Sequence, residues 1–197
     1  MEFKEREIKL DRELSELDKF AIKFLSILEK YTDYVVISGY VAILLGRTRA
    51  TDDIDVFIKK ISKDKFSKLY AELKDKGFWC LNAEDELELY SFLEDKLAIR
   101  FARQGLATPN FEIKFPKDNL DEQAFENTIT VATKQGKIII SDLERQIAFK
   151  RYYLQSDKDK EDALHVEELF KNKIDYVQID KYKELIEKRR KESENKR

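Results

Sequence analysis

The chain has 197 residues, 42% hydrophobic and 40% charged, with a formal net charge of −2. That is apolar enough for one packed domain, or a domain with a helical extension, and it excludes a globally basic nucleic-acid clamp, so nucleic-acid contact would need a local patch. Five glycines, two prolines and abundant Lys and Glu point to short loops and surface ion pairs, the pattern of thermophile proteins.

A single cysteine, Cys80, excludes an internal disulfide and cannot make a zinc site alone. A buried thiol is its expected state. The start, MEFKEREIKL, is charged and unlike a signal peptide. No run approaches the ~18 apolar residues of a membrane span. The expectation is a cytoplasmic protein with no membrane contact.

The first segment, about Glu2 to Lys30, reads as one helix. Leu10, Leu14, Leu17, Ala21, Phe24, Leu28 and Tyr31 recur in steps of four and three and form an apolar stripe. Tyr34 to Ser38 is a buried strand. Val41 to Leu45 is a short helix ended by Gly46, and Ile54 to Ile58 is a second strand. Ser62 caps a helix carrying Phe66, Leu69, Tyr70 and Leu73, which Gly77 stops. Phe78 to Leu81 suits a short strand and Glu84 to Asp95 a helix. Leu97 to Arg103 and Asn110 to Phe115 alternate as sheet strands, the latter with Phe111, Ile113 and Phe115 on one face and Glu112 and Lys114 on the other.

Thr128 to Thr133 and Lys137 to Ile140 flank Lys134-Gln135-Gly136, a hairpin signal. Ser141 with Glu144 three residues on reads as a capping box. The helix it opens holds Leu143, Ile147, Phe149 and Lys150. The chain breaks near Ser156. A helix over roughly Lys158 to Phe170 turns Ala163, Leu164, Val166 and Leu169 inward. A last helix runs from about Gln178 into KRRKESENKR, a solvated end. The seam lies near Ser141, giving a sheet-rich part over 1–140 and a helical part over 141–197. The expected class is α+β, a mixed sheet flanked by helices with a helical C-terminal part.

The chemistry concentrates between Tyr34 and Lys59. Asp53 and Asp55 sit at i and i+2 at the head of a strand, so both point to one face. Adjacent carboxylates repel unless a cation lies between them, and Mg²⁺ suits this donor type because it takes oxygen ligands and keeps phosphate oxygens in its shell. Ser38-Gly39 ends the preceding strand and opens a helix, where free N–H groups can meet a phosphate. Arg47 and Arg49 lie between these features. Either can meet a phosphate or neutralise the acidic residues, and Arg49 is the nearer. His165 is a helix-surface or packing residue, and Trp79 belongs to the core.

The run ISGYVAILLGRTRATDDIDVFI resembles the first motif of the nucleotidyltransferase superfamily, the polymerase-beta-like fold. Arg49, Thr51, Asp53, Ile54 and Asp55 are similar to the form found in its small stand-alone branch, which includes AbiEii-type toxins of toxin–antitoxin systems. Tyr40 stands where a second small residue is usual, placed to stack on a base or to block phosphate approach. The resemblance implies a third carboxylate on a later strand, for which Glu112 is the candidate, with Lys114 beside it. It also implies a Lys followed by an acidic segment. LERQIAFKRYYLQSDKDKEDALHV supplies Lys150, Asp159 and Asp162, with Lys150 contacting nucleotide phosphates and the two aspartates orienting it or touching the nucleotide.

The implied activity is Mg²⁺-dependent transfer of NMP from an NTP to a hydroxyl on RNA (tRNA above all), a protein or a small molecule. Asp53, Asp55 and Glu112 would hold two metal ions. Ser38, Gly39, Arg49, Lys114, Lys150, Asp159 and Asp162 would hold the nucleotide. A toxin of this group would pair with an antitoxin protein. The rival expectation is a catalytically silent member that binds a nucleotide or a partner, favoured by Tyr40 and by Glu at the third carboxylate position.

Overall fold

In the computed structural model of the protein, residues 1–194 are described. In chain order its elements are β1 (Glu2–Lys4), β2 (Glu7–Lys9), α1 (Glu16–Leu28), β3 (Tyr34–Ile37), α2 (Gly39–Leu44), β4 (Asp53–Ile58), α3 (Lys63–Asp75), β5 (Phe78–Cys80), α4 (Glu86–Glu94), β6 (Ile99–Arg103), β7 (Asn110–Lys114), α5 (Asn119–Glu122), β8 (Ile129–Thr133), β9 (Gly136–Ile140), α6 (Leu143–Phe149), α7 (Asp157–Leu169) and α8 (Tyr176–Glu194). The strands form one mixed sheet in the order β1-β2-β8-β9-β3-β4-β7-β6-β5. No helix among the described residues is long and apolar enough to cross a membrane.

One face of the sheet carries the aromatic core. Phe111 and Phe24 stack with centroids 3.9 Å apart, and Phe20 meets the same Phe111 ring at 5.0 Å. Ile54, Val56 and Ile113, at alternate positions of β4 and β7, are fully buried on this side. The intervening residues, Asp53, Asp55, Glu112 and Lys114, therefore face the other way. Period-two alternation thus puts grease on one face of two central strands and charge on the opposite face.

The predicted helix over Glu2 to Lys30 is half wrong. Its first part is a β-hairpin turned at Glu5 and Arg6, both at positive φ, and β2 pairs in parallel with β8. Phe3 and Ile8 pair across it, and Phe3 packs edge-on against Phe170 at 5.5 Å where β1 forms the edge of the sheet. The helix begins only at Ser15, whose hydroxyl caps Asp18 N–H while Asp18 returns a bond to Ser15 N–H. Asp18 is fully buried and also accepts from Arg12 Nη1 at 2.7 Å and from the Tyr40 hydroxyl at 2.9 Å. Burial would raise the Asp18 carboxyl, but Arg12, Ser15 and Tyr40 outweigh it and hold it below its usual range. Tyr40 is thus a core residue that ties α2 to α1. It neither stacks on a ligand nor blocks one.

The helical end departs from expectation in three places. Asp142, not Ser141, caps α6, accepting from Arg145 N–H at 2.8 Å. On α7, Ala163 and Val166 are buried, but Leu164 and Leu169 are 50% and 43% exposed. The helix is rotated so that Asp159 and Asp162 face inward, because buried cations wait for them there. The basic tail is not all solvated either. Arg189 bonds Asp121 at 2.9 Å and lies 3.0 Å from Asp118, and Arg190 donates to Tyr153 O at 2.9 Å. Residues 195–197 of that tail lie outside the described residues. The segment over 119–125, which holds α5 and Asp121, carries no periodicity in the sequence.

Two measurements test this packing. Tyr40→Phe removes one hydrogen bond to a buried carboxylate and is expected to cost roughly 1.5–3 kcal/mol in urea unfolding. Asp142 is buried, and burial pushes its carboxyl up to about 6, against the pull of Arg145 N–H and the Tyr182 hydroxyl. The folded state therefore holds this proton more tightly than the unfolded chain, and the group costs stability as pH rises from about 4 through about 6. In thermal melts Asp142→Asn should gain on the parent between pH 4 and pH 7. A constant difference across that window would contradict the assignment.

Candidate active site

The strand register decides what the charged face can do. Asp55 is the cross-strand partner of Ile37 on antiparallel β3 and of Glu112 on parallel β7, and Asp53 is the partner of Asn110. Asp55 and Glu112 are thus side by side, as the sequence reading required of two residues 57 positions apart. Lys114, two residues beyond Glu112, sends its ammonium to both, 2.9 Å from Asp55 Oδ1 and 3.4 Å from Glu112 Oε1. Burial pulls this ammonium down, yet the two carboxylates more than compensate and leave it raised. Arg100 Nη2 takes the other Glu112 oxygen at 3.0 Å. Asp53 stands at the exposed head of β4 and accepts from the Thr51 hydroxyl at 3.1 Å. Among the described residues, no three side chains of metal-ligand type are gathered tightly enough to cage an ion.

Ser38 follows β3 with φ +66° and ψ −138°, a conformation that non-glycine residues rarely adopt. Gly39 next to it has its own reason to be glycine. A Cβ there would lie 2.6 Å from Arg49 Nη2, so the guanidinium crosses the turn where a side chain would stand. Arg49 then binds Asp162 through two nitrogens, at 3.0 and 2.8 Å. Lys150 Nζ lies 2.9 Å from the same carboxylate and 3.4 Å from Asp159. Arg47 comes within 3.2 Å of Asp162 and also pairs with Glu161. Burial would raise Asp162, but Arg49 and Lys150 hold it low.

The structure therefore brings Arg49, Lys150, Asp159 and Asp162 into one buried cluster. Lys150 is only 1% exposed, and its ammonium is spent on two aspartates, so these residues orient one another rather than standing free for a phosphate. A short π-helical turn, Lys150–Leu154, carries the lysine out of α6, and Gln155 at φ +65° redirects the chain into α7. His165 packs as expected, 3.2 Å from Leu45 O.

Between the charged sheet face and the helical end lies a cavity of about 400 Å³. Ser38, Asp55, Glu112, Lys114 and Lys150 line it, but so do residues that the sequence reading missed: Lys96, Lys117, Arg145, Tyr153 and Arg189. These come from a turn, a loop, two α-helices and the π-helical turn, with no shared motif. Arg145 sits between Glu144 and Gln146 in α6, so no local pattern marked it out.

No protein-family model matches the chain, and no curated protein matches it in sequence. Solved structures do resemble it. The crystal structure of an antigenic nucleotidyltransferase-like protein from Paracoccidioides brasiliensis aligns with a TM-score of 0.50 at 16% identity, over 89% of this chain and 90% of that one. The solution structure of the antibiotic-resistance factor ANT(2'')-Ia, which shows substrate-regulated conformation dynamics, aligns with a TM-score of 0.54 at 14% identity, over 90% of this chain and 97% of that one. The fold is that of nucleotidyltransferase-like proteins, a mixed sheet with flanking helices.

The buried cluster has a direct test. Asp162→Ala strips the acceptor shared by Arg49 and Lys150, and removing one partner of a buried charge set costs roughly 3–5 kcal/mol. The loss should appear as a lower denaturant midpoint with an unchanged slope.

Proposed function

We propose that the protein is a Mg²⁺-dependent nucleotidyltransferase that moves NMP from an NTP to a hydroxyl acceptor. The observation that carries this reading is the register of β4 with β7, which sets Glu112 beside Asp55 on the face that also bears Asp53, next to the Ser38 turn. The donor set fits the ion in its chemistry, because all three ligands are hard carboxylates and two of them already share a positive charge, the Lys114 ammonium. The three do not cage an ion by themselves, which suits Mg²⁺, an ion held by few carboxylates together with substrate phosphate oxygens. Asp53, Asp55 and Glu112 would hold it, and when bound it would supply charge neutralisation at the reacting phosphate.

The chain's own residues do the rest. The Ser38-Gly39 turn faces the leaving phosphates, held in shape by Arg49 lying across Gly39. Lys114 Nζ stays on the same face and offsets negative charge on the α-phosphate. The acceptor oxygen attacks α-phosphorus, its proton passes to a Glu112 carboxylate oxygen, and the bond to the β-phosphate oxygen breaks to release pyrophosphate. Positioning and fixed charge, rather than covalent chemistry, lower the barrier. Lys150 with Asp159 and Asp162 supports the likeness to the AbiEii-type branch, for which RNA acceptors and an antitoxin partner would follow.

One observation favours the rival, a silent nucleotide-binding protein. Lys114 and Arg100 together already satisfy Asp55 and Glu112, so the pair is neutralised without a metal. The two readings part on label transfer from α-labelled NTPs with Mg²⁺ and a mixed set of hydroxyl acceptors. The enzyme reading expects transfer that falls by roughly a hundredfold or more in Asp53→Ala and Asp55→Ala. NTP binding without transfer to any acceptor would establish the silent protein instead.

A further inference from the structure

The cavity has two ends, and strand direction tells them apart. β3 runs antiparallel to β4 with Ile37 opposite Asp55, so Ser38 lies toward the Asp53 end. β7 runs parallel to β4, so Lys117 and Asp121, which follow β7, lie beyond the opposite end. Lys96 joins them there, donating to Pro116 O at 2.9 Å. Asp55 and Glu112 stand between the two ends.

The far end is charged out of balance. Arg189 and the Lys117 backbone N–H already take both Asp121 carboxylate oxygens, at 2.9 and 3.1 Å. Among the described residues, Lys96, Lys117 and Arg145 have no ion-pair partner. Arg145 is the telling one. It is 3% exposed, lines the cavity, and its Nη1 is buried without a hydrogen-bond acceptor. Its guanidinium lies 4.1 Å from the Phe149 ring centroid, which steadies it without neutralising it. A buried, unmatched guanidinium costs stability unless something completes it. Burial pulls Arg145 below its ordinary value, with Tyr182, Asp121 and Asp142 only partly opposing.

The proposed reaction says what completes it. In-line displacement puts the attacking and leaving oxygens on opposite sides of the phosphorus. Pyrophosphate departing on the Ser38 side requires the acceptor to enter from the side of Lys117 and Lys96. Arg145, on a helix that opens beside Ser38 because β9 runs parallel to β3, lines the same cavity within electrostatic reach of Asp121. An uncharged nucleobase would not answer three cations there. We infer that the acceptor is a small hydroxyl compound bearing an anionic group, a phosphate or a carboxylate, which Arg145, Lys117 and Lys96 hold while its hydroxyl faces Glu112. This rests on the nucleotidyltransferase reading. The cavity size, about 400 Å³, suits a small molecule. A polynucleotide is disfavoured because Arg189 and Arg190 of the basic tail fold inward and the chain's net charge is −2.

The test offers the full chain labelled NTP and Mg²⁺ with five acceptor sets: sugar monophosphates, hydroxycarboxylates, their uncharged counterparts, a cationic amino sugar and total RNA. Titration calorimetry with the sugar monophosphates measures binding independently of transfer. Transfer to an anionic set, with the two arms showing which group is read, is the expected result. Arg145→Gln should raise the KM for that acceptor about tenfold or more while NTP affinity stays within about twofold. Lys117→Gln, at an exposed position, should shift it the same way and keeps the test valid if the Arg145 variant fails to fold. Equal transfer to uncharged counterparts, a preference for the amino sugar or RNA, or NTP affinity falling in step in the variants would overturn the inference. Arg145-dependent binding of sugar monophosphates without transfer anywhere would uphold the anion site and overturn the catalytic reading instead.

Discussion

Asp162 is the residue on which the assembly of the site depends. It lies fully buried on α7 and receives Arg49 from the loop before β4 and Lys150 from the end of α6. An uncompensated carboxylate at that depth would be strongly unfavourable. The two cations make it tolerable, and in doing so they lock the helical end to the part of the chain that carries Asp53 and Asp55. Gly39 belongs to the same constraint, since the Arg49 guanidinium occupies the space a side chain would fill. A buried ion cluster of this kind is weak as a source of net stability, and its consequence here is geometric. It fixes which helix faces which strand.

The second constraint is electrostatic and sits on the open face. Parallel pairing of β4 with β7 forces Asp55 and Glu112 together, and Lys114 resolves the repulsion. The arrangement holds charge ready without spending it fully, because an ammonium in a partly open cavity can share its carboxylates with an incoming cation. At the other end of the cavity the balance tips the opposite way, toward positive charge that nothing in the described chain neutralises. A molecule with an anionic group and a hydroxyl would complete both ends at once.

Much of this was legible in the sequence where one physical rule dominated. Asp53 and Asp55 shared a face because strands alternate. Glu112 and Lys114 faced away from Phe111 and Ile113 for the same reason. The hairpin around Gly136 and the helix capped at Ser62 followed from turn and cap chemistry. Failures came where tertiary contacts overrode local pattern. The stripe starts only at Leu10, so the helix was extended over residues that carry no helical period, and there Phe3 and Ile8 pair as a hairpin. Leu164 and Leu169 read as core, yet α7 turned its acidic face inward to meet buried cations. Tyr40 looked like a ligand-side residue because its neighbours did, and only the buried Asp18 explains it. Arg145, Lys96 and Lys117 belong to segments far apart in the chain, so no spacing rule could unite them.

The central claim is that the carboxylate face of β4 and β7 is where a nucleotide meets its metal. Crystals grown with a non-hydrolysable NTP analogue and Mn²⁺ in place of Mg²⁺ test it directly through the anomalous signal. The account predicts a metal peak bound by Asp53 and Asp55, with the triphosphate running toward Ser38 and Lys114 displaced from at least one of its carboxylates. A nucleotide bound elsewhere, or one bound in the cavity with Lys114 still seated between Asp55 and Glu112 and no metal peak, would contradict it.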